Sequence, residues 1–323
     1  MSVAARGSAS RLLFFGTPEF AIPTLEALID SPHRVVAVVC QPDRPRGRGQ
    51  ALAVPPVARL AATHGIPVLQ PERLRDPAVA PVLAAYEADV GIVAAYGQIV
   101  PDSIRHAARL GLINVHASLL PKYRGAAPVQ RAIIAGERMT GVTIMRLVRA
   151  LDAGPMLDAV TRPIGLDETS DVVERDLATI GARLLVDVLE RLLAGTVAEV
   201  AQDDSQATYA ARITRADGII DWSRPARAIH DLVRGLHPWP HAFTHLDAQR
   251  YLLLRSAVAS GETDATPGAI VEAGERLLVA TGRRGLLDIL ELQREGRRPM
   301  PAAAFLAGHR LPVGSRFAAS ATA

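Results

Sequence analysis

Residues 111–131 read Gly-Leu-Ile-Asn-Val-His-Ala-Ser-Leu-Leu-Pro-Lys-Tyr-Arg-Gly-Ala-Ala-Pro-Val-Gln-Arg. The apolar run 112–115 predicts a β-strand, on which Asn114 and His116 point to the same face. Ser118-Leu119-Leu120-Pro121 then turns the chain out of the sheet. A strand that ends in two polar side chains and a loop predicts an α/β fold with a site at the carboxyl end of that strand.

The length and composition of the chain predict two globular domains in a soluble, cytoplasmic protein. Its 323 residues exceed a typical single core, and 49% of them are hydrophobic. No apolar run reaches the roughly 20 residues that cross a bilayer. Residues 1–10 lack the apolar segment of a secretory signal, so they predict a disordered leader. Cys40 is the only cysteine, which excludes an intramolecular disulfide or a cysteine-cluster metal site and predicts an inert buried thiol.

Arginine supplies nearly all of the positive charge, since Lys122 is the single lysine among 36 basic residues. The formal net charge is only +3, but arginines outnumber acidic residues after residue 210. A basic face would therefore lie in the C-terminal third, where arginines 276, 283, 284, 294, 297 and 298 are candidates for phosphate contacts. An ordinary solvated surface is the alternative.

Short β-rich runs alternate with helical patterns in the first part of the chain. They are residues 12–15, 35–39, 90–93 and 112–115. This alternation predicts βαβ units and a mainly parallel sheet. Residues 142–160 predict two extended runs around residues 151–155, which form either a hairpin or an extension of the sheet edge. Helical spacing from Asp171 to Leu193 predicts a long helix, capped by Asp171 with Glu174 and ended by Gly195.

The last third of the chain differs from the first part. Residues 196–210 are polar and aperiodic and predict a linker. After a helical pattern over 225–236, five short strands are predicted near residues 243–246, 251–254, 268–271, 276–280 and 286–292. Helix-poor repetition of short strands predicts a small OB-like barrel over 211–317, followed by a disordered tail, 318–323. Trp222 and Trp239 are expected to pack in this domain.

Asn114 and His116 carry the chemistry that the sequence indicates. An asparagine amide donates to a developing oxyanion, and histidine exchanges protons near neutral pH, so the pair suits acyl-type transfer. In the alternative interpretation, Asn114 closes a turn and His116 is a core histidine. Asp152 provides a carboxylate to orient the imidazole, although an Asp in a Gly/Pro turn often only forms the turn.

Other kinds of site are disfavoured. The first strand is followed by Gly16-Thr17-Pro18-Glu19-Phe20, which lacks the glycine spacing of a dinucleotide site, and Pro18 removes a backbone donor. No serine or cysteine lies next to a base in a covalent-nucleophile motif, and we expect no metal site. The segment 41–50 places Arg44, Arg46 and Arg48 among prolines and glycines. It predicts either a solvated loop or a phosphate-binding loop on the rim that carries His116.

Six blocks in order give the chain a resemblance to the bacterial methionyl-tRNA formyltransferases. They are residues 15–21, 41–49, 95–98, 114–128, 141–145 and 151–154. The resemblance implies a Rossmann-like formyltransferase domain, 11–195, joined to an OB-like tRNA-binding domain. It implies transfer of the formyl group from 10-formyltetrahydrofolate, as co-substrate, to the α-amino group of initiator methionyl-tRNA, without a metal, and we expect a monomer.

By the same resemblance, Asn114, His116 and Asp152 are catalytic. The folate site is expected at Ser118, Leu119, Leu120 and Pro121, walled by Tyr96, Gly97 and Gln98, and the tRNA contacts at Arg44, Arg46 and Arg48. The sequence departs from the family around Asp152, and Gln50 and Ala51 replace common lysines. Sugar-nucleotide N-formyltransferases share the Asn-x-His and Ser-Leu-Leu-Pro motifs and are the nearest alternative; a non-catalytic tRNA-binding module is another.

Overall fold

The computed structural model describes residues 9–46 and 51–318 and divides into two compact units. Unit 1 contains the described residues of Met1–Arg124, Gly141–Arg162 and Glu174–Tyr209; unit 2 contains those of Gly125–Thr140, Pro163–Val173 and Ala210–Ala323. The predicted domain and linker limits stay predictions. Residues 1–8 of the predicted leader and 319–323 of the predicted tail lie outside the described residues. None of the helices in the described part is long and apolar enough to span a bilayer.

The elements alternate between strand and helix in the first part of the chain and are mostly strands in the last. The strands are β1 Arg11–Gly16, β2 Arg34–Val39, β3 Arg44–Arg46, β4 Ala51–Ala53, β5 Val68–Leu69, β6 Val90–Ala94, β7 Leu112–His116, β8 Arg124–Gly125, β9 Met139–Arg146, β10 Met156–Pro163, β11 Tyr209–Ala210, β12 Ala242–Leu246, β13 Gln249–Ala259, β14 Ile270–Ala273, β15 Leu277–Ala280, β16 Leu286–Arg294 and β17 Met300–Pro301. The helices are α1 Ile22–Ile29, α2 Pro56–Thr63, α3 Val79–Ala84, α4 Asp102–Arg105, α5 Pro128–Ile134, α6 Ser170–Leu193, α7 Ala226–Gly235 and α8 Ala302–Gly308.

A mainly parallel sheet forms the centre of unit 1, with the strand order β10-β9-β7-β6-β1-β2-β5. β1 pairs in parallel with β2 and β6, and β6 with β7, whereas β9 runs antiparallel to β7. The parallel sheet and the β9–β10 hairpin are therefore confirmed. Ala94 lies beside Val115, so the loops after β6 and β7 leave the same edge of the sheet.

Helix α6 packs against the sheet through a glycine. A Cβ at Gly181 would lie 3.1 Å from side-chain atoms of Val115 and of Val142, so the helix backbone approaches the strands closely. The helix begins at Ser170, so the prediction that Asp171 caps its start is wrong. Asp171 lies instead in the first turn, where the helix dipole stabilises a carboxylate. Its predicted end is confirmed, since Gly195 has φ +70 and its N–H binds the Leu192 carbonyl.

An antiparallel sheet forms unit 2, with the order β12-β13-β16-β15-β14 and β17 beside β16. The segment 315–318 forms backbone hydrogen bonds with both edge strands of this sheet. Ala318 pairs with His245 in β12, and the carbonyl oxygen of Ser315 accepts from the N–H of Ile270 in β14. It thereby joins the first strand to the last. Trp222 is buried and stacks on Phe317 with ring centroids 5.8 Å apart. Trp239 is 55% exposed, so its predicted packing role is wrong.

Candidate active site

The alternation of side chains along β7 sets the direction of Asn114 and His116. Val115 faces α6 at Gly181, so Asn114 and His116 point to the opposite face of the sheet. Asn114 is 8% exposed and His116 6%. Both polar groups are therefore held in a nearly closed site at the end of a central strand.

The His116 ring is fixed from both sides. Its Nε2 lies 2.9 Å from the Tyr123 carbonyl oxygen, and because a carbonyl can only accept, Nε2 must donate a proton there. Its Nδ1 lies 3.8 Å from Oδ2 of Asp152. Nδ1 is consequently the ring nitrogen left for proton exchange, and it faces a carboxylate.

The side-chain amide of Asn114 is available for a ligand. It makes no hydrogen bond within residues 9–46 and 51–318. A nearly buried amide donor without a partner is unusual, because such groups are normally paired. A substrate oxygen beside this amide would meet one donor, and Nδ1 of His116 would supply a second when the ring is protonated, which is the arrangement of an oxyanion hole.

The loop after β7 is anchored on β9 by a residue that sequence reasoning missed. Thr143 Oγ1 donates to the Ser118 carbonyl oxygen at 2.7 Å and accepts from the N–H of Leu120 at 3.1 Å. Ser118 Oγ donates to the Lys122 carbonyl oxygen at 2.7 Å, and Leu119 lies directly over Gly141. These contacts hold the predicted folate residues in a fixed loop that leaves Leu119 and Pro121 partly exposed.

Three non-glycine residues around His116 have left-handed backbone angles. They are Ala95 (φ +48), Tyr123 (φ +60) and Asp152 (φ +47). This conformation costs an L-residue about 1–3 kcal/mol and persists only where surrounding contacts enforce it. Such residues concentrate at functional sites, which supports a role for this cluster beyond packing.

In the loop after β6, backbone groups are more accessible to a ligand than side chains are. The Tyr96 side chain is buried, edge-on against Phe15, while its carbonyl oxygen accepts from Thr17 Oγ1 at 2.9 Å. The Gln98 amide oxygen accepts from the N–H of Leu74 at 2.8 Å. Ala95 and Gly97, on either side of Tyr96, are exposed, so their backbone groups are accessible at the shared edge.

The arginine-rich segment after β2 is a short hairpin in its described part. β3 and β4 pair antiparallel, with Arg44 beside Ala53, which corrects the expectation of a plain loop. Arg44 is exposed, and the hairpin leaves the carboxyl edge of the sheet. Arg48 lies outside the described residues, as does the Arg46 side chain.

Among the candidate arginines of unit 2, some are already paired. Arg276 binds Asp288 at 2.8 Å, and Arg284 lies 3.2 Å from Asp264. Arg283, Arg297 and Arg298 are exposed and form no ion pair within the described residues. These three are therefore the better candidates for contacts with phosphate.

Cys40 sits at the end of β2, fully buried. Burial raises the pKa of its thiol to about 11, and the nearby Asp43 carboxylate adds to the rise. The thiol therefore stays protonated near neutral pH, unsuited to nucleophilic chemistry. No group of three or more His, Cys, Asp or Glu side chains in the described ranges could hold a metal ion.

Iodoacetamide is expected to alkylate Cys40 of the native protein at pH 8 at least about 100-fold more slowly than in the urea-unfolded chain, because alkylation needs an accessible thiolate. Mass spectrometry of quenched time points measures both rates, and the single cysteine makes the label unambiguous. Raising the pH toward 11 should accelerate the native reaction. Equal rates in the native and unfolded chains would contradict the buried placement of the thiol.

Comparisons with known proteins agree with the fold and place the chain among formyl transferases. Residues 10–189 match the family model described as formyl transferase, and residues 212–310 match formyl transferase, C-terminal domain. The methionyl-tRNA formyltransferase of Trichlorobacter lovleyi is 46% identical over 94% of this chain and 96% of its own length. That of Solibacter usitatus is 48% identical over 93% and 96%.

Solved structures of lower identity share the fold. A sugar 3N-formyl transferase, WlaRD, superposes with a TM-score of 0.69 at 15% identity, covering 90% of this chain and 99% of that one. HypX from Aquifex aeolicus superposes with a TM-score of 0.62 at 16% identity, covering 93% of this chain and 47% of that one. At these identities the likeness shows the architecture alone.

Proposed function

The chain belongs to the methionyl-tRNA formyltransferase family, and from this premise we propose that Asn114, His116 and Asp152 carry its reaction. The enzyme transfers the formyl group of 10-formyltetrahydrofolate to the α-amino group of methionine on initiator tRNA. The observation that carries the assignment of residues is the His116 ring, whose Nε2 is bound to the Tyr123 carbonyl while Nδ1 faces Asp152.

The chemistry requires a donor for the formyl oxygen as the amine attacks the formyl carbon. Asn114 supplies an amide N–H, and His116 supplies Nδ1 when that atom is protonated. Nε2 already carries the proton that it donates to the Tyr123 carbonyl. A ring that also donates from Nδ1 is protonated on both nitrogens and therefore carries a positive charge. The Asp152 carboxylate, 3.8 Å away, balances this charge.

Two of these residues, His116 and Asp152, account for the protons. The amine nitrogen must lose a proton as the new C–N bond forms, and N10 of the folate must gain one as its bond to the formyl carbon breaks. Asp152, which faces His116 Nδ1, would accept the first proton, and the protonated His116 ring would return one to the leaving nitrogen. Two donors on the oxyanion would lower the barrier by several kcal/mol.

The residues present fit a folate. The partly exposed Leu119 and Pro121 offer apolar surface to a flat ring, and the exposed backbone around Gly97 offers donors and acceptors to its edge. Ser118, Leu120, Tyr96 and Gln98 shape this site through their own internal contacts. Bound there, the co-substrate supplies the formyl group.

The tRNA is assigned to the arginine-rich hairpin and unit 2. β2 lies three strands from β7 in the sheet, about 14 Å at the usual strand spacing, so an acceptor end that contacts Arg44 could bring its amino acid to His116. Arg46 and Arg48 of the same segment are proposed as further contacts. Arg283, Arg297 and Arg298 are proposed as further phosphate contacts. We further propose that the enzyme works as a monomer in the cytoplasm.

The acceptor is tested by offering two amines with one formyl donor. Formyl transfer from 10-formyltetrahydrofolate to charged initiator tRNA is measured beside transfer to an amino-sugar nucleotide. We expect product only with the tRNA. Transfer to the sugar alone would overturn the assignment of the acceptor, and transfer to neither would favour a binding protein without activity.

Arg48→Ala is expected to raise KM for charged tRNA about tenfold and to leave KM for folate within about twofold, because an arginine–phosphate contact contributes on the order of 1 kcal/mol or more. Steady-state kinetics with each substrate varied in turn measures the split. Arg59→Ala, at an exposed arginine in α2 of the same unit, is the matched control. Equal changes in both KM values would argue against a hairpin that faces tRNA.

A further inference from the structure

Gln202 joins the turn that carries Asp152 to a buried arginine. Its Nε2 donates to two backbone carbonyl oxygens, those of Asp152 and Gly154, each at 2.8 Å. Its Oε1 accepts from Arg124 Nε at 3.0 Å and from the Arg124 NH2 group at 2.8 Å. The side-chain amide of Gln202 thus uses both of its hydrogen atoms and its oxygen on this one connection.

Arg124, which donates both hydrogen bonds to Gln202 Oε1, is only 4% exposed. Besides Gln202 it binds Asp204 at 2.6 Å, so its buried charge is paired. Arg124 directly follows Tyr123, whose carbonyl oxygen accepts from His116 Nε2. The residue that holds Gln202 is therefore adjacent in the chain to the acceptor that orients the imidazole.

The backbone places Gln202 independently of this side-chain contact. Val200 and Met156 exchange two backbone hydrogen bonds of 2.8 Å, which set the segment beside the start of β10. Gln202 follows two residues later, next to the turn at Asp152 and Gly154. Because Asp152 has φ +47, the turn needs external contacts to hold it.

We propose that Gln202 is a positioning residue for the formyl transfer, and that it acts with Arg124 as a clamp on both neighbours of the His116 ring. One side of the clamp fixes the turn that presents Asp152 to Nδ1, and the other fixes the chain beside Tyr123, which binds Nε2. The inference rests on the proposed function of Asn114, His116 and Asp152.

Gln202→Met is close to isosteric and removes every hydrogen bond of the clamp. A displacement of about 1 Å at a reacting group can cost 10²-fold in rate, so we expect kcat to fall about 10–100-fold. KM for folate and for tRNA should stay within about twofold, because Gln202 belongs to neither binding surface. Gln202→Glu keeps an acceptor for Arg124 but places an oxygen against two carbonyl oxygens, so it should not restore kcat.

Gln206→Met is the matched control, since Gln206 lies in the same segment, is exposed and donates only to Asp203 at 2.7 Å. It should retain wild-type kcat. Thermal unfolding of all three variants shows whether the fold survives. A Gln202→Glu protein that unfolds like the unaltered one yet has low kcat separates positioning from general stability.

A double-mutant cycle with Asp152 decides whether Gln202 acts through it. If it does, adding Gln202→Met to Asp152→Ala should lower the single-turnover rate by less than about threefold further. Independent, multiplicative effects would overturn the clamp, as would a Gln202→Met enzyme with unchanged kcat. If Asp152→Ala alone retains wild-type activity, the proposed catalytic assignment fails, which is a separate outcome from failure of the clamp.

Discussion

Replacing His116 by alanine is expected to lower kcat by about 10²–10⁴-fold, the contribution typical of a side chain that exchanges protons in a transition state. The Tyr123 carbonyl engages Nε2, so in the proposed mechanism Nδ1 is the atom through which the ring reaches the reacting groups. Removing the ring also removes the group that the Asp152 carboxylate faces. The rate of methionyl-tRNA formylation at saturating folate and tRNA measures the loss.

A second substitution separates chemistry from packing, because alanine at a site only 6% exposed also leaves a cavity. His116→Gln keeps an N–H for the Tyr123 carbonyl but has no group that exchanges protons. We expect it to fold normally and to be as slow as the alanine variant. His64→Ala, at an exposed histidine of the same unit, should keep full activity. A His116→Gln enzyme with near wild-type kcat would remove the imidazole from the reaction.

The spacing of apolar residues predicted the strands and helices well where an element is buried on one face or on both. The runs that became β1, β2, β6 and β7 are continuous and apolar because parallel strands are covered on both faces, and α6 shows its 3.6-residue spacing over 24 residues. The pairs that periodicity missed are short. β3 and β4 have three residues each, and the segment 315–318 is too brief to show alternation.

The side chains on one strand were predictable as a pair, whereas their partners were not. Asn114 and His116 share a face because of the two-residue period of β7. The acceptor for His116 is a backbone carbonyl, which any residue at position 123 would supply, so the sequence could not reveal it. Gln202 falls in a polar segment that predicted a linker, and its proposed role rests on contacts with residues about 50 and 80 positions away.

Asn114 is the sole asparagine in the 323 residues, and its amide is unpaired within the described part of the chain. Asn114→Ala is expected to lower kcat by about 10²–10³-fold, the usual cost of removing one oxyanion donor. Asn114→Asp should be at least as slow, because a carboxylate of the same shape would face the developing negative charge.

Thr24→Val provides a matched control for Asn114. Thr24 is fully buried in α1, and its Oγ1 has no partner among the described residues, so the change removes a buried polar group away from the site and should leave kcat unchanged. A direct readout comes from labelling with ¹⁵N-asparagine, which gives a single side-chain amide signal. If Asn114 binds the formyl oxygen, a stable formyl-bearing folate analogue should shift that signal, whereas a deformylated analogue should shift it less. Identical shifts with both analogues, together with an active Asn114→Ala enzyme, would exclude the amide as the oxyanion donor.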